Sequence, residues 1–182
     1  MKKMIVIFAA LLCVFVSRAQ DLFITRHGQV SFFSRTPMEN IDAINNEVSS
    51  VLNVKTGELA FVLLVKGFHF EKALMEEHFN ENYMESDKIP KASFKGKIVN
   101  PAAIDITKDG TYAVTADGEL TIHGITKQVS IPGNLLVKAG QLQLQGKFTV
   151  APKDYNIKIP SLVADKIAAT MNVMVDCRYE KK

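Results

Sequence analysis

Hydrophobic residues recur at every second position over the centre of the chain. Tyr112, Val114, Ala116, Leu120 and Ile122 share one parity, and beyond a turn Val129, Ile131, Leu135 and Val137 share another. A period of two marks a half-buried strand, because successive side chains point to opposite faces. Residues 118–127 join the two runs, and His123-Gly124-Ile125-Thr126 reads as the tip of a hairpin, with Gly124 free to take positive φ. Ala139-Gly140 turns the chain again into residues 141–150. There Leu142, Leu144, Gly146, Phe148 and Val150 alternate with Gln141, Gln143, Gln145, Lys147 and Thr149.

The rule extends to both ends. Residues 21–25 and 29–35 read as two strands separated by His27-Gly28, with Val30 and Phe32 on one face and Phe33 on the other. Within residues 37–54, Ile41, Ile44, Val48 and Val51 fit a helical spacing, whereas Val48, Leu52 and Val54 suit an extended chain. An extended, bulged strand is preferred, because Thr56-Gly57 then forms a hairpin turn. Residues 91–99 alternate through Ala92, Phe94, Gly96 and Ile98. A short apolar segment, 102–107, leads to the turn Lys108-Asp109-Gly110, and residues 151–167 form a connection containing Pro152, Asp154-Tyr155 and Pro160. The final run, 168–180, places Ala169, Met171, Val173, Val175, Cys177 and Tyr179 on one face.

One stretch breaks the alternation. Residues 58–66, ELAFVLLVK, are apolar on both parities, which predicts cover on both faces. A helix over 70–80, with Leu74 and His78 one turn apart and Met75 above Phe79, is the expected cover. Ile89-Pro90 ends that excursion. Eight to ten strands with short turns must hide their edges, and an all-β, antiparallel, up-and-down barrel of about eight strands with one helix does so completely. A barrel of that size either fills with side chains or holds one small ligand.

Composition changes the picture at the amino end. Lys2 and Lys3 precede an uncharged apolar run over 5–16, followed by Ser17 and Ala19, the pattern of a cleavable secretory signal over 1–19 and too short to span a bilayer. The expectation is one domain over 20–182, in the periplasm or secreted. Lys2, Lys3 and Arg18 lie in that leader and account for the formal net charge of +3. The remainder is neutral, which removes the electrostatic case for nucleic acid. Cys13 leaves with the leader, so Cys177 has no partner for an internal disulfide.

Candidate chemistry is sparse. His69 and His78 with Glu76, Glu77 and Glu81 do not converge at helical spacing, so no metal site is expected, and His78 reads as packed on the barrel or bonded to a backbone carbonyl. His123 and Thr126 read as turn formers, Asp154 as a loop-closing acceptor, and Tyr155 as a cap on one barrel end. There is no G-x-S-x-G, P-loop, G-x-G-x-x-G, C-x-x-C or H-E-x-x-H, and nothing supports an enzyme.

The hairpin Gly118-Glu-Leu-Thr-Ile-His-Gly-Ile-Thr-Lys127 resembles the signature hairpin of the YceI-like, polyisoprenoid-binding proteins. The resemblance continues through His78-Phe79, Lys88-Ile-Pro-Lys-Ala-Ser-Phe94 and Asp154-Tyr155. Asn156 stands where the family often has glycine, and asparagine also tolerates positive φ. The residues after Pro37 match the pattern poorly.

The family implies an exported, lipocalin-like extended barrel with a long amphiphile threaded through an apolar interior: an isoprenoid, quinone or fatty-acyl ligand and no other cofactor. On that reading the inward set Phe32, Phe61, Leu63, Phe94, Val114, Leu144, Phe148, Met171 and Val173 lines the lumen. The same residues would also fill each other's space, and parity alone does not separate the two. Two functions stay open: a carrier or sequestering protein for a lipid-like chain, and a filled barrel acting as an interaction module. The oligomeric state is open too, a dimer included.

Overall fold

The structure, a computed structural model, describes residues 21–182. The expected leader over 1–19 lies outside them. Nine strands follow in order: β1 Leu22–Arg35, β2 Asn40–Asn53, β3 Glu58–Leu64, the two-residue β4 His69–Phe70, β5 Lys91–Ile98, β6 Gly110–Ile122, β7 Ile125–Lys138, β8 Gln141–Val150 and β9 Met171–Lys181. One α-helix, α1 Ala73–His78, lies between β4 and β5 and continues into a π-helical turn, Phe79–Tyr83.

Every pairing is antiparallel, and β1 pairs with both β2 and β9, so eight strands close into a barrel. β4 adds to β2 beyond the point where β3 leaves it, opposite Ala43 and Ile44. Closure leaves the eight-stranded wall without a free edge. The chain enters and leaves at one end, here the terminal end, which also carries the turn after β2, the β5–β6 connection and the β7–β8 turn. The opposite end carries the β1–β2 turn, the excursion 65–90, the β6–β7 tip and the connection 151–170.

Local turn chemistry agrees with the pattern. His123 and Gly124 both have positive φ (49° and 73°), as do Ala139 and Gly140 (49° and 77°), so each hairpin closes on two residues whose twist matches the strands. Asn156 takes φ 57°, the left-handed position expected there. Within residues 37–54, Asn40–Asn53 form an extended strand, not a helix. The two amino-terminal runs are one strand: the break at His27-Gly28 is a register shift against β2, and the pairing resumes beyond it.

β3 differs from expectation. Leu59, Phe61 and Leu63 face inward, but Val62 and Leu64 are exposed on the outer wall (40% and 51%), and no helix covers them. A barrel has a single interior, and the chain leaving β3 folds over the end of that interior instead of back along the wall. The exit is held by Asn45, fully buried, whose Nδ2 donates to the Leu64 carbonyl at 2.9 Å.

Candidate functional site

Inward residues on neighbouring strands form rungs across the barrel. Nearest the terminal end, Val137, Leu142 and Tyr179 lie side by side; the next rung is Tyr112, Leu135, Leu144 and Cys177. Both are densely packed, with Leu135 and Cys177 wholly out of solvent and Phe23 and Leu52 against them. Ile104 and Ile106, from the β5–β6 connection, pack onto the same cluster.

The following rung is Val114, Gly133, Gly146 and Val175. Two adjacent strands contribute no side chain there, and a cavity of about 610 Å³ opens. A Cβ at Gly146 would meet nothing closer than Ile131 Cγ2 at 3.7 Å. A second glycine pair, Gly96 opposite Gly118, behaves differently: the Phe94 ring lies over it, within 3 Å of where either Cβ would stand. One pair seats an aromatic ring; in the other, Gly146 leaves room, whereas a Cβ at Gly133 would collide with the Gln145 carbonyl of the neighbouring strand. The barrel is filled at its terminal end and hollow at the other.

All nine residues singled out by parity, Phe32, Phe61, Leu63, Phe94, Val114, Leu144, Phe148, Met171 and Val173, line this one cavity. Parity missed the residues that roof it. Phe68, Phe79, Tyr83 and Met84 come from the excursion after β3, and Ile157, Val163 and Ile167 from the connection before β9. These segments are irregular, so period-two reading has no purchase on them. The charged members of the lining, Glu39, Lys72 and Lys166, belong to the turn, excursion and connection at the mouth, as does His78. Lys72 Nζ is 3.0 Å from Glu39 Oε1.

The roof is anchored by aromatic rings. Phe79 packs against Phe32, Phe68 and Phe70 with ring centroids 5.5, 5.7 and 5.0 Å away. Such pairs contribute about 0.5–1.5 kcal/mol each beyond the area they bury. The expected helix over 70–80 is shorter at its start. Phe70 belongs to β4, and its N–H donates to Glu76 Oε2 at 3.1 Å, which holds the helical turn against the strand. The end widens into the π turn, where the Met84 N–H reaches the Phe79 carbonyl at 2.9 Å. That widening brings Tyr83 as well as Phe79 to the cavity.

Other expected roles fall out unevenly. His78 is exposed at the mouth, with no hydrogen bond to a carbonyl, contrary to expectation. The exposed Asp154 carboxylate closes nothing; the turn is made by backbone, the Asp154 N–H donating to the Ala151 carbonyl. His123 does more than form a turn. Its Nδ1 lies 3.2 Å from the Tyr155 carbonyl, so that nitrogen donates, and its Nε2 lies 3.5 Å from Glu85 Oε2. The hairpin tip thereby joins the roof segment to the connection. Lys88, 2.6 Å from Glu85, is the main reason that the Glu85 carboxyl is held below its ordinary range.

Tyr155 is buried in the core cluster, and burial pushes its hydroxyl upward. Burial also pushes the Cys177 thiol up to about 12, so it stays protonated and unreactive at neutral pH. Among the described residues no three His, Cys, Asp or Glu side chains converge to hold a metal ion. No described helix is long and apolar enough to cross a membrane.

A closed antiparallel barrel of eight strands, hollow at one end and roofed by a short helix, defines a lipocalin-like class of fold. Within it, residues 23–178 match the model of the YceI-like domain, and the chain belongs to that family. Comparison with curated protein sequences finds no match. Similar solved structures include a polyisoprenoid binding domain from Saccharophagus degradans implicated in plant cell wall breakdown (TM-score 0.78, 14% identity, 90% of this chain and 99% of that one). BcnA from Burkholderia cenocepacia (0.70, 14%, 84% and 96%) and the YceI protein of Campylobacter jejuni (0.60, 13%, 77% and 85%) share the fold.

Proposed function

We propose that this protein is an exported carrier that holds a long apolar chain, a polyisoprenoid, quinone or fatty-acyl tail, inside its barrel without acting on it chemically. The observation that carries this reading is the cavity of about 610 Å³, apolar along its depth and charged only at its mouth. Area removed from water suffices for binding there: about ten buried methylene-sized groups contribute roughly 8 kcal/mol gross, before ordering costs. The polyisoprenoid binding domain named above has the same fold, which supports the choice of ligand class. The rival, a barrel filled along its length and used only as an interaction module, is disfavoured by the same cavity.

Native mass spectrometry of gently purified protein tests the reading. The expected result is added mass that extracts into organic solvent, and its loss in Phe148→Glu, which sets a carboxylate on the cavity wall while the packed rungs keep the fold. A protein that stays free of ligand and fails to take up any added long-chain amphiphile would reject the carrier.

A further inference from the structure

Two features of the cavity bear on which chains it takes. The first is its floor. The rung Leu135, Leu144 and Cys177 closes the lumen, and Val137, Leu142 and Tyr179 back it, so the interior ends inside the barrel instead of running through it. The second is volume. At roughly 30 Å³ for a group the size of a water molecule, the 610 Å³ present accommodates about 20 such groups.

We infer that the site measures chain length, admitting one chain tail-first up to about 20 carbons, with Leu144 as the stop and the side-chain-free Gly146 as the space above it. The inference rests on the carrier reading. The tail end meets an apolar floor, and the polar end stays among Glu39, Lys72 and Lys166 at the mouth. A chain of four isoprene units fits entirely, whereas a longer polyprenyl tail leaves its remaining units outside, unprotected from water. Each methylene added below the limit contributes about a fourfold gain in affinity, and each one beyond it contributes almost nothing.

Displacement of a fluorescent fatty acid from delipidated protein by straight-chain saturated carboxylic acids, from about 10 to about 24 carbons, reads this directly. Affinity is expected to climb about fourfold per methylene and to level off near 20 carbons. Leu144→Ala lowers the floor and moves the break longer by about two carbons. Gly146→Val, whose new Cβ has room, moves it shorter by a similar amount and guards against a Leu144→Ala variant that does not fold. A climb without any break, or a break that a folded variant leaves in place, overturns the length limit while leaving the carrier intact. Failure of every acid to displace the probe rejects both.

Discussion

Tyr179 and Ser50 meet in the filled end of the barrel, hydroxyl to hydroxyl at 2.6 Å, on strands that do not pair with each other. Ser50 Oγ also lies 2.9 Å from the Ala60 carbonyl, which only accepts, so the direction is set: Tyr179 donates to Ser50 and Ser50 donates to Ala60. Both residues are buried, and the hydroxyl of Tyr179 is pushed far above its ordinary range, chiefly by that burial. Tyr179→Phe is expected to cost about 1 kcal/mol, because Ser50 keeps its acceptor. Ser50→Ala costs about 1–3 kcal/mol, because it leaves a buried phenol without a partner. The double variant should cost less than the sum. Urea unfolding of the three variants checks this, and ligand affinity should not change, since neither residue lines the cavity.

The hollow end depends on Phe79. Phe79→Ala removes the ring that three other aromatics hold and should free the roof without unfolding the barrel. Hydrogen exchange is expected to speed up over residues 73–84 and to stay unchanged in β6 to β9. Stopped-flow release of a bound fluorescent fatty acid should be faster. Unchanged release with normal folding would show that the roof does not gate the cavity.

Gly28 and Cys177 constrain each other. A Cβ at Gly28 would collide with Cys177 Sγ and would stand 3.1 Å from the Val48 carbonyl oxygen. Gly28→Ala should therefore destabilise by about 1–3 kcal/mol through overpacking. Cys177→Ala in the same chain should recover part of the loss. In the native protein, Cys177 should resist alkylation at pH 8 and react fully in denaturant.

Asp105 governs an acid response at the filled end. Its carboxyl is held at about 2, below the ordinary 3.8, first by the Thr107 hydroxyl, then by Lys108 and the Thr107 N–H. A carboxyl lowered by folding stabilises in full above its ordinary value and loses that contribution as pH falls through the lowered one. The urea midpoint of the protein should exceed that of Asp105→Asn at neutral pH, and the gap should close between about pH 4 and pH 2. A gap independent of pH would assign the loop's stability to its neutral contacts, such as the Tyr112 hydroxyl donating to the Asp105 carbonyl at 2.8 Å.

Much of this architecture is legible along the chain because its cause is local. Period two assigns each side chain of β6, β7, β8 and β9 to a face from its own neighbours, and the turns His123-Gly124 and Ala139-Gly140 are marked by their glycines, which take positive φ freely. The nine residues read as inward, on these strands and on β1, β3 and β5, all reach one lumen. Reading ELAFVLLVK by the same rule went astray, because apolarity on both faces does not say what covers them, and Val62 and Leu64 are uncovered.

Whether the lumen is empty was decided elsewhere. Gly133 and Gly146 are thirteen positions apart in sequence and carry no signal of being neighbours; the β7–β8 register sets them opposite each other, while Leu135 meets Leu144 one rung below. Phe32, Phe68, Phe70 and Phe79 likewise become one cluster only when the excursion folds over the barrel's end. Face is a property of a residue and its immediate neighbours, so the sequence by itself determined the barrel and its apolar interior. Register and roof are relations between distant segments, and only the tertiary structure made half of that interior a cavity.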